Sequence, residues 1–528
     1  MKISESFDGE DPLAMLKQIQ QERVLEKCER DELAYIDDEV VKRYYEEMKL
    51  SDGDMIDKMR VELGLKGYLH ALAEIPEAEM GKVALIKGVT RLEIEDHLNL
   101  PDVFCNSPDY SEMPDSEIKW DEKLTNWVID KTMNLIRFGA VSAGCQTSFE
   151  AIRASFDYFC VVLHDLGLPY RAHLDGPYPY VEILPKGESD TMFLAHLDVA
   201  EAQDKDQFVP RVITDRFGQK WTKGRASADM IGSTMVGVKA LGESHKRFEN
   251  VPGMLVVFNE EQAEQDYEGR KTGTNAFLEY ARNKSIDLSD KTFVALERTN
   301  NPDGEGVYAE KELVGEIADK SRGAMSIHIT VKGVAGHGGA VRSANLTKEL
   351  PKLQNYIIEE LCKKFPLTTA PGFNNQIIPI FIKTGQPDST TLPGEGHLEL
   401  MIRIVPGADF EELKRLMEET IEEYGLDIEY NWKCIEPGPV ARRENRVLKR
   451  MADSIAECHG KDAVKFQNKP HASSARIAVK HLGCEAFVWG PTAGLFPHGR
   501  NEKMHVSSIP AGGKVLIKFL QKANTELE

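Results

Sequence analysis

A chain of 528 residues exceeds one ordinary globular domain and suggests two or three, at roughly 100–200 residues each. Hydrophobic residues make up 41% and charged residues 29%, enough apolar side chain to fill a large core, which excludes wholesale disorder. Lysine and arginine number 65 against 86 aspartates and glutamates, a net charge of −21, so a nucleic-acid backbone would be repelled over most of the surface.

The acidity is concentrated at the start. Residues 1–120 hold 15 Lys/Arg and 29 Asp/Glu (15 − 29 = −14), leaving −7 for the remaining 408. DPLAMLKQIQQERVLEKCERDELAYI, DEVVKRYYEEMKL and GLKGYLHALAEI have helical apolar spacing and precede a Pro- and Asp-rich stretch at 101–114. The spacing predicts an acidic helical extension over 1–124, either a partner surface or a solvated cap on the main body. Its beginning lacks the layout of a secretion signal, and no stretch approaches the roughly 18 apolar residues that span a bilayer. A cytoplasmic protein without membrane contact is expected. The cysteines (Cys28, Cys105, Cys145, Cys160, Cys362, Cys434, Cys458, Cys484) are scattered, with no pair at two-residue spacing, and are read as reduced, mostly buried thiols.

From 125 the pattern predicts a helix over 125–167, the run TMFLAHLD, a helix over 230–243, MLVVFNEE, a helix over 272–283 and FVALE. Helices alternating with short apolar runs indicate an α/β layer with a largely parallel sheet. Between 319 and 432 the order is SIHITVKGV, helix 345–364, IIPIFIKTG, HLELMIRIV, helix 409–424 and DIEYNWKCI, the β-α-β-β-α-β order of a ferredoxin-like unit. A helix over 445–458, AFVWGP and a closing helix over 511–524 return to α/β character. The fold class is therefore α/β, with a discontinuous catalytic domain (125–318 and 433–528) interrupted by an inserted domain (319–432).

Candidate chemistry gathers at or just beyond the C-terminal ends of the apolar runs, where open α/β sheets bind ligands. AHLDVA places His196 and Asp198 two apart; GRASADMIG places Asp229 at a helix start. VVFNEEQ ends on Glu260 and Glu261, adjacent carboxylates that repel unless a cation lies between them. VALERTN carries Glu297, and GPTAGLFPHGRNE carries His498. His196, Asp229, Glu261, Glu297 and His498 make a mixed nitrogen and oxygen set suited to zinc or a similar divalent ion. Three carboxylates against two divalent ions leave one positive charge, which a bridging hydroxide neutralises.

In order and spacing these motifs resemble the dinuclear-zinc amidohydrolases and peptidases of the acetylornithine deacetylase, succinyl-diaminopimelate desuccinylase, aminoacylase and glutamate carboxypeptidase type, over residues 125–528. The resemblance implies two divalent ions, zinc with cobalt or manganese as alternatives. His196 would bind one, Asp198 would orient His196, and Asp229 would bridge both. Glu261 and His498 would complete one ion and Glu297 the other, while Glu260 would be the general base. The inserted domain resembles the family's lid or dimerisation domain. His337 in VKGVAGHGGAV would reach the partner subunit's active site of a homodimer, and Arg403, with Thr390 and Gly494, would bind substrate.

The sequence departs from the family at Asn259, Ile231, Gly338-Gly339, Ser474, Leu495 and Phe496, around the pocket and not at a metal ligand. The implied activity is hydrolysis of an amide bond in a small N-acyl amino acid or peptide by a metal-bridging hydroxide. An aminopeptidase or dipeptidase, or a non-catalytic scaffold using the acidic extension, are the alternatives. The remaining histidines, His70, His97, His164, His245, His471, His481 and His505 among them, are read as structural or exposed, with His505, seven residues after His498, the one to check.

Overall fold

The apolar spacing of 122–165 folds as two helices and not as the single helix expected over 125–167. α1 (Glu122–Phe138) starts at Asp121, whose carboxylate accepts from the Leu124 N–H, and ends at Gly139 with φ 58°. That left-handed residue breaks the helix, and α2 (Phe149–Asp165) begins afresh. The computed structural model describes residues 118–527 apart from 143–147, 174–177, 259–264, 267–268, 271, 301–303, 338–344, 369–371, 386–388 and 471–472. All but the last few residues of the expected acidic extension therefore lie outside the described residues.

β1 (Tyr170–His173), β2 (Tyr180–Ile183), β3 (Thr191–His196), β4 (Arg211–Thr214) and β5 (Lys220–Lys223) lead to α3 (Gly232–His245) and β6 (Gly253–Val257). The two-residue strands β7 (Gln265–Asp266) and β8 (Gly269–Arg270) precede α4 (Gly273–Asn283), β9 (Thr292–Ala295), α5 (Glu310–Val314) and β10 (Glu316–Ser321). Next come β11 (Gly323–Lys332), β12 (Gly336–His337), α6 (Leu346–Lys364), β13 (Leu367–Thr368), β14 (Asn375–Thr384), β15 (Thr391–Leu392), β16 (Glu395–Ile404), α7 (Phe410–Glu423) and β17 (Ile428–Glu436). α8 (Arg446–His459), β18 (Lys465–Lys469), α9 (Ala475–Leu482), β19 (Ala486–Val488), β20 (Gly494–Leu495), β21 (Lys503–His505) and α10 (Ser508–Leu527) close the chain.

The large sheet has the order β1-β2-β6-β3-β9-β19-β10-β18. Its centre, β6-β3-β9-β19, is parallel, whereas β1, β2 and β10 run antiparallel to neighbours. The sheet is thus mixed, and parallel chiefly in its middle. β3, β6 and β9 are buried at every position, which is why they read as unbroken apolar runs and not as alternating ones. Phe193, Met254 and Val294 face a core shared with α1, α2, α3, α8 and α10. Leu194, Leu255 and Phe293 face the opposite way, onto α4 and α9. Each such fully buried side chain contributes about 1.5–3 kcal/mol. No helix among the described residues is long and apolar enough to cross a membrane.

The second sheet has the order β13-β14-β16-β11-β17, and its four long strands are antiparallel. Leu398, Leu400, Ile402 and Ile404 of β16 are buried on the side of α6 and α7, and the residues between them form the opposite face. Arg322 alone separates β10 from β11. Its guanidinium donates to Asn374 O at 3.0 Å and Gln376 Oε1 at 3.1 Å, and also to Pro470 O. Arg476 meets Glu436 close by, both buried. A small four-stranded sheet, β20-β21-β5-β4, stands beside the large one.

Candidate metal centre

Since β6, β3, β9 and β19 are parallel neighbours, their C-terminal ends share one edge of the sheet. β3 ends on His196, and β9 ends two residues before Glu297. β6 stops three residues before Glu260, which lies with Asn259 and Glu261 outside the described residues. The loop after β19 leads through β20 to His498. Asp229 lies in the turn before α3.

His196 is buried, with Nδ1 3.0 Å from the Asp198 carbonyl oxygen and 3.7 Å from its carboxylate Oδ1. The main-chain oxygen is the nearer partner. A proton held on Nδ1 by that oxygen leaves Nε2 as a lone pair for a metal. His498 has the uncommon left-handed backbone, φ 58°, and its Nε2 lies 3.6 Å from Asp229 Oδ2. Burial works to raise the Asp229 pKa, but the His498 imidazole and the charges of Arg298 and His196 hold it well below the usual carboxylate range. Burial likewise opposes ionisation of Glu297, yet its pKa is lowered by Lys469 against the repulsion of Asp229, with help from Ser474. Lys469 Nζ donates to Glu297 Oε2 at 2.6 Å, and the Ser474 N–H and hydroxyl both donate to Oε1 at 2.8 Å.

Among the described residues no three His, Cys, Asp or Glu side chains form a complete metal-holding group. The donors present nevertheless suit a metal: an imidazole with Nε2 left available, a carboxylate beside a second imidazole, and Glu297 close enough to Asp229 for the two charges to repel. A cation between them would relieve that repulsion. Glu297 is held by a lysine, a partner that the motif spacing does not foretell.

A buried ion pair fixes the centre from below and escapes sequence reasoning. Arg225 Nη1 donates to Glu502 Oε2 at 2.9 Å, and Nη2 donates to the carbonyls of Glu201 at 2.7 Å and His498 at 3.1 Å. Glu502 Oε1 accepts from the N–H groups of Ala228 at 3.2 Å and Asp229 at 3.1 Å. Both side chains are 1% exposed. The pair thereby ties together the loops carrying Asp198, Asp229 and His498. The available signal was an arginine in GRASAD and a glutamate in GRNE, each charged and next to a motif.

The other candidates are spread more widely. Gly494 is buried, and a Cβ there would come within 2.4 Å of Ala228 Cβ and 2.9 Å of Lys503 O, so close packing beside the Asp229 turn requires glycine. Arg403 stands opposite Ala324 and Gln376 at the end of the second sheet nearest Arg322. His337 pairs with Thr391 in the β12-β15 ribbon, adjacent to exposed Thr390. His505 belongs to the core: it is buried, its Nδ1 accepts from the Ser507 N–H at 3.2 Å, and its ring meets Trp221 edge-on.

Residues 192–522 match Peptidase family M20/M25/M40. The chain belongs to this family. The family is one of dinuclear metallohydrolases, and membership makes this chain a hydrolytic enzyme. Among its relatives, the succinyl-diaminopimelate desuccinylase of Stenotrophomonas maltophilia is 24% identical over 400 residues, covering 73% of this chain and 96% of that protein. The one from Sulfurimonas denitrificans is 26% identical over 240 residues, 45% of this chain and 59% of that protein. The M20 family metallo-carboxypeptidase Sso-CP2 of Sulfolobus solfataricus superposes with a TM-score of 0.57 at 16% identity, covering 77% of this chain and 100% of its own. The di-peptidase Dug1p of Saccharomyces cerevisiae gives 0.57 at 15%, covering 77% and 98%. At these identities the structural likeness establishes the fold.

Proposed function

We propose that this M20/M25/M40 hydrolase cleaves an amide bond in a small N-acyl amino acid or peptide. The observation that carries the reading is the placing of His196, Asp229, Glu297 and His498 along one sheet edge. Two divalent ions, zinc or alternatively cobalt or manganese, held by these four with Glu261, would supply Lewis acidity and a water of lowered pKa. Glu260 takes the proton of the attacking water and passes it to the leaving nitrogen. Asp198 holds the His196 tautomer. Arg403 would hold a substrate carboxylate, with Thr390 and Gly494 as further contacts.

The insertion at 319–432 acts as a lid and dimerisation domain between the two catalytic stretches, 125–318 and 433–528. Two observations support this. β13 covers β14 only at Asn375 and Gln376, and beyond them Ile380, Phe381 and Ile382 are 48%, 44% and 45% exposed, an apolar strand edge suited to a second copy. In addition, β11 runs for about 30 Å from the junction at roughly 3.3 Å per residue, and His337 follows its far end. From there it stabilises the developing oxyanion in the partner subunit's active site.

Metal-loaded protein screened against N-acyl amino acids and dipeptides should turn over members of the first set, and Glu260→Gln should lower kcat at least about 10²-fold with its metal content retained. Near-normal turnover by that variant would remove Glu260 from the mechanism. Mixing His337→Ala with Glu260→Gln chains should restore activity once subunit exchange is verified; exchange without recovery would reject action across the dimer.

A further inference from the structure

The face of the second sheet that points away from α6 and α7 carries a histidine cluster with no part in the hydrolytic centre. His328 stands opposite Glu399, and Thr330 opposite His397, across the antiparallel β11–β16 ladder. The two histidines are therefore diagonal neighbours on one face. His328 Nε2 lies 3.3 Å from His397 Nδ1, and Thr330 Oγ1 lies 3.3 Å from the same Nδ1. Each ring also has a carboxylate on its far side. His397 Nε2 is 3.1 Å from Glu395 Oε1, and His328 Nδ1 is 3.9 Å from Glu399 Oε2. Glu399 is itself held by the Ser326 hydroxyl and by Lys433, each at 3.1 Å.

Glu395 draws an N–H to the outer nitrogen of His397, which leaves His397 Nδ1 as a lone pair facing His328 Nε2. The two inner nitrogens share one proton in the hydrogen bond between the rings. A proton serves one nitrogen at a time, whereas a divalent ion serves both. Two nitrogens bound at about 2.05 Å and the tetrahedral angle lie about 3.4 Å apart, close to the separation observed. The Glu395 carboxylate behind His397 is also the usual support of a metal-bound histidine.

We propose that His328 Nε2 and His397 Nδ1 bind a borderline divalent cation such as zinc, nickel or copper(II), with the Thr330 hydroxyl and water completing its shell. Lys433 balances the charge of Glu399, and two further cations stand across the ladders, Lys332 opposite Glu395 and Lys383 opposite His397. Selection therefore rests on the two nitrogen donors and not on net negative charge, and the oxygen-seeking ions magnesium and calcium are excluded.

The test is equilibrium dialysis of the full chain against zinc and nickel with metal analysis, together with electron paramagnetic resonance of the copper(II)-loaded protein. His328→Gln and His397→Gln should each bind one ion fewer per chain than wild type and lose from the copper spectrum one nitrogen-coordinated component that Asp229→Asn retains, with the circular dichroism unchanged. Asp229→Asn, altered at the other centre, should keep the additional ion. Equal metal content in wild type and both histidine variants would overturn the proposal, as would loss of the ion in Asp229→Asn alone or its displacement by millimolar magnesium.

Discussion

Replacing Arg225 by methionine keeps much of the side chain's bulk but leaves the Glu502 carboxyl without its cation. Two carbonyls, those of Glu201 and His498, lose a donor as well. Breaking a buried pair from one side costs about 3–5 kcal/mol. Burial pushes the Glu502 pKa up to about 7 even against the pull of Arg225, with the Asp229 charge adding to the rise. Without Arg225 the pKa climbs further, so at pH 7 the variant takes up a proton and its loss stays near the lower figure, about 3 kcal/mol. The pH dependence follows from this raised value. In wild type the stability that Glu502 contributes is fully present below its unfolded pKa near 4.5 and has been lost once the pH passes about 7. In Arg225→Met the loss continues above pH 7 at about 1.4 kcal/mol per pH unit, widening the gap by up to about 2 kcal/mol at pH 8.5. Adding Glu502→Gln removes the ionisable group while keeping an oxygen for the Ala228 and Asp229 N–H groups, so the double variant should lose this pH dependence and recover part of the stability. Urea unfolding followed by circular dichroism at pH 7 and 8.5 measures all three proteins. A loss under 1 kcal/mol for Arg225→Met, or one indifferent to pH, would show that the pair does not hold the loops together.

Burial pushes His505 down to about 4 despite the pull of Asp215. The stability of the neutral ring is therefore present above pH 6.5 and lost as the pH falls through 4. Between those limits wild type should lose roughly 3 kcal/mol more than His505→Gln, and equal losses in urea titrations would place the ring elsewhere than in the core. Lys469→Met should free Glu297 and tighten zinc binding by roughly tenfold, about 1.4 kcal/mol, in competition with a chelator; unchanged affinity would argue that Glu297 does not bind the ion. Phe381→Lys places a charge on the open edge of β14 and should yield monomers in sedimentation velocity, whereas a persistent dimer would move the interface to another surface.

Local pattern carried much of this protein. Continuous apolar runs mark β3, β6 and β9 because strands buried on both faces need no alternation, and the chemical residues follow such runs because the ends of parallel strands are where a chain leaves the sheet with side chains directed to one edge. The β-α-β-β-α-β order of residues 323–436 was legible from periodicity in the same way. The break between α1 and α2 was less so, since it depends on the left-handed conformation of one glycine inside a long helical pattern. Tertiary structure alone decided which charges meet. Arg225 and Glu502 are 277 residues apart, Glu297 and Lys469 172, and His328 and His397 69. No periodicity spans such distances, because each pairing follows from how the strands are ordered and registered. The antiparallel edges of the large sheet belong to the same class: a short apolar run has the same composition in either direction, and only its neighbours in the folded chain determine which way it points.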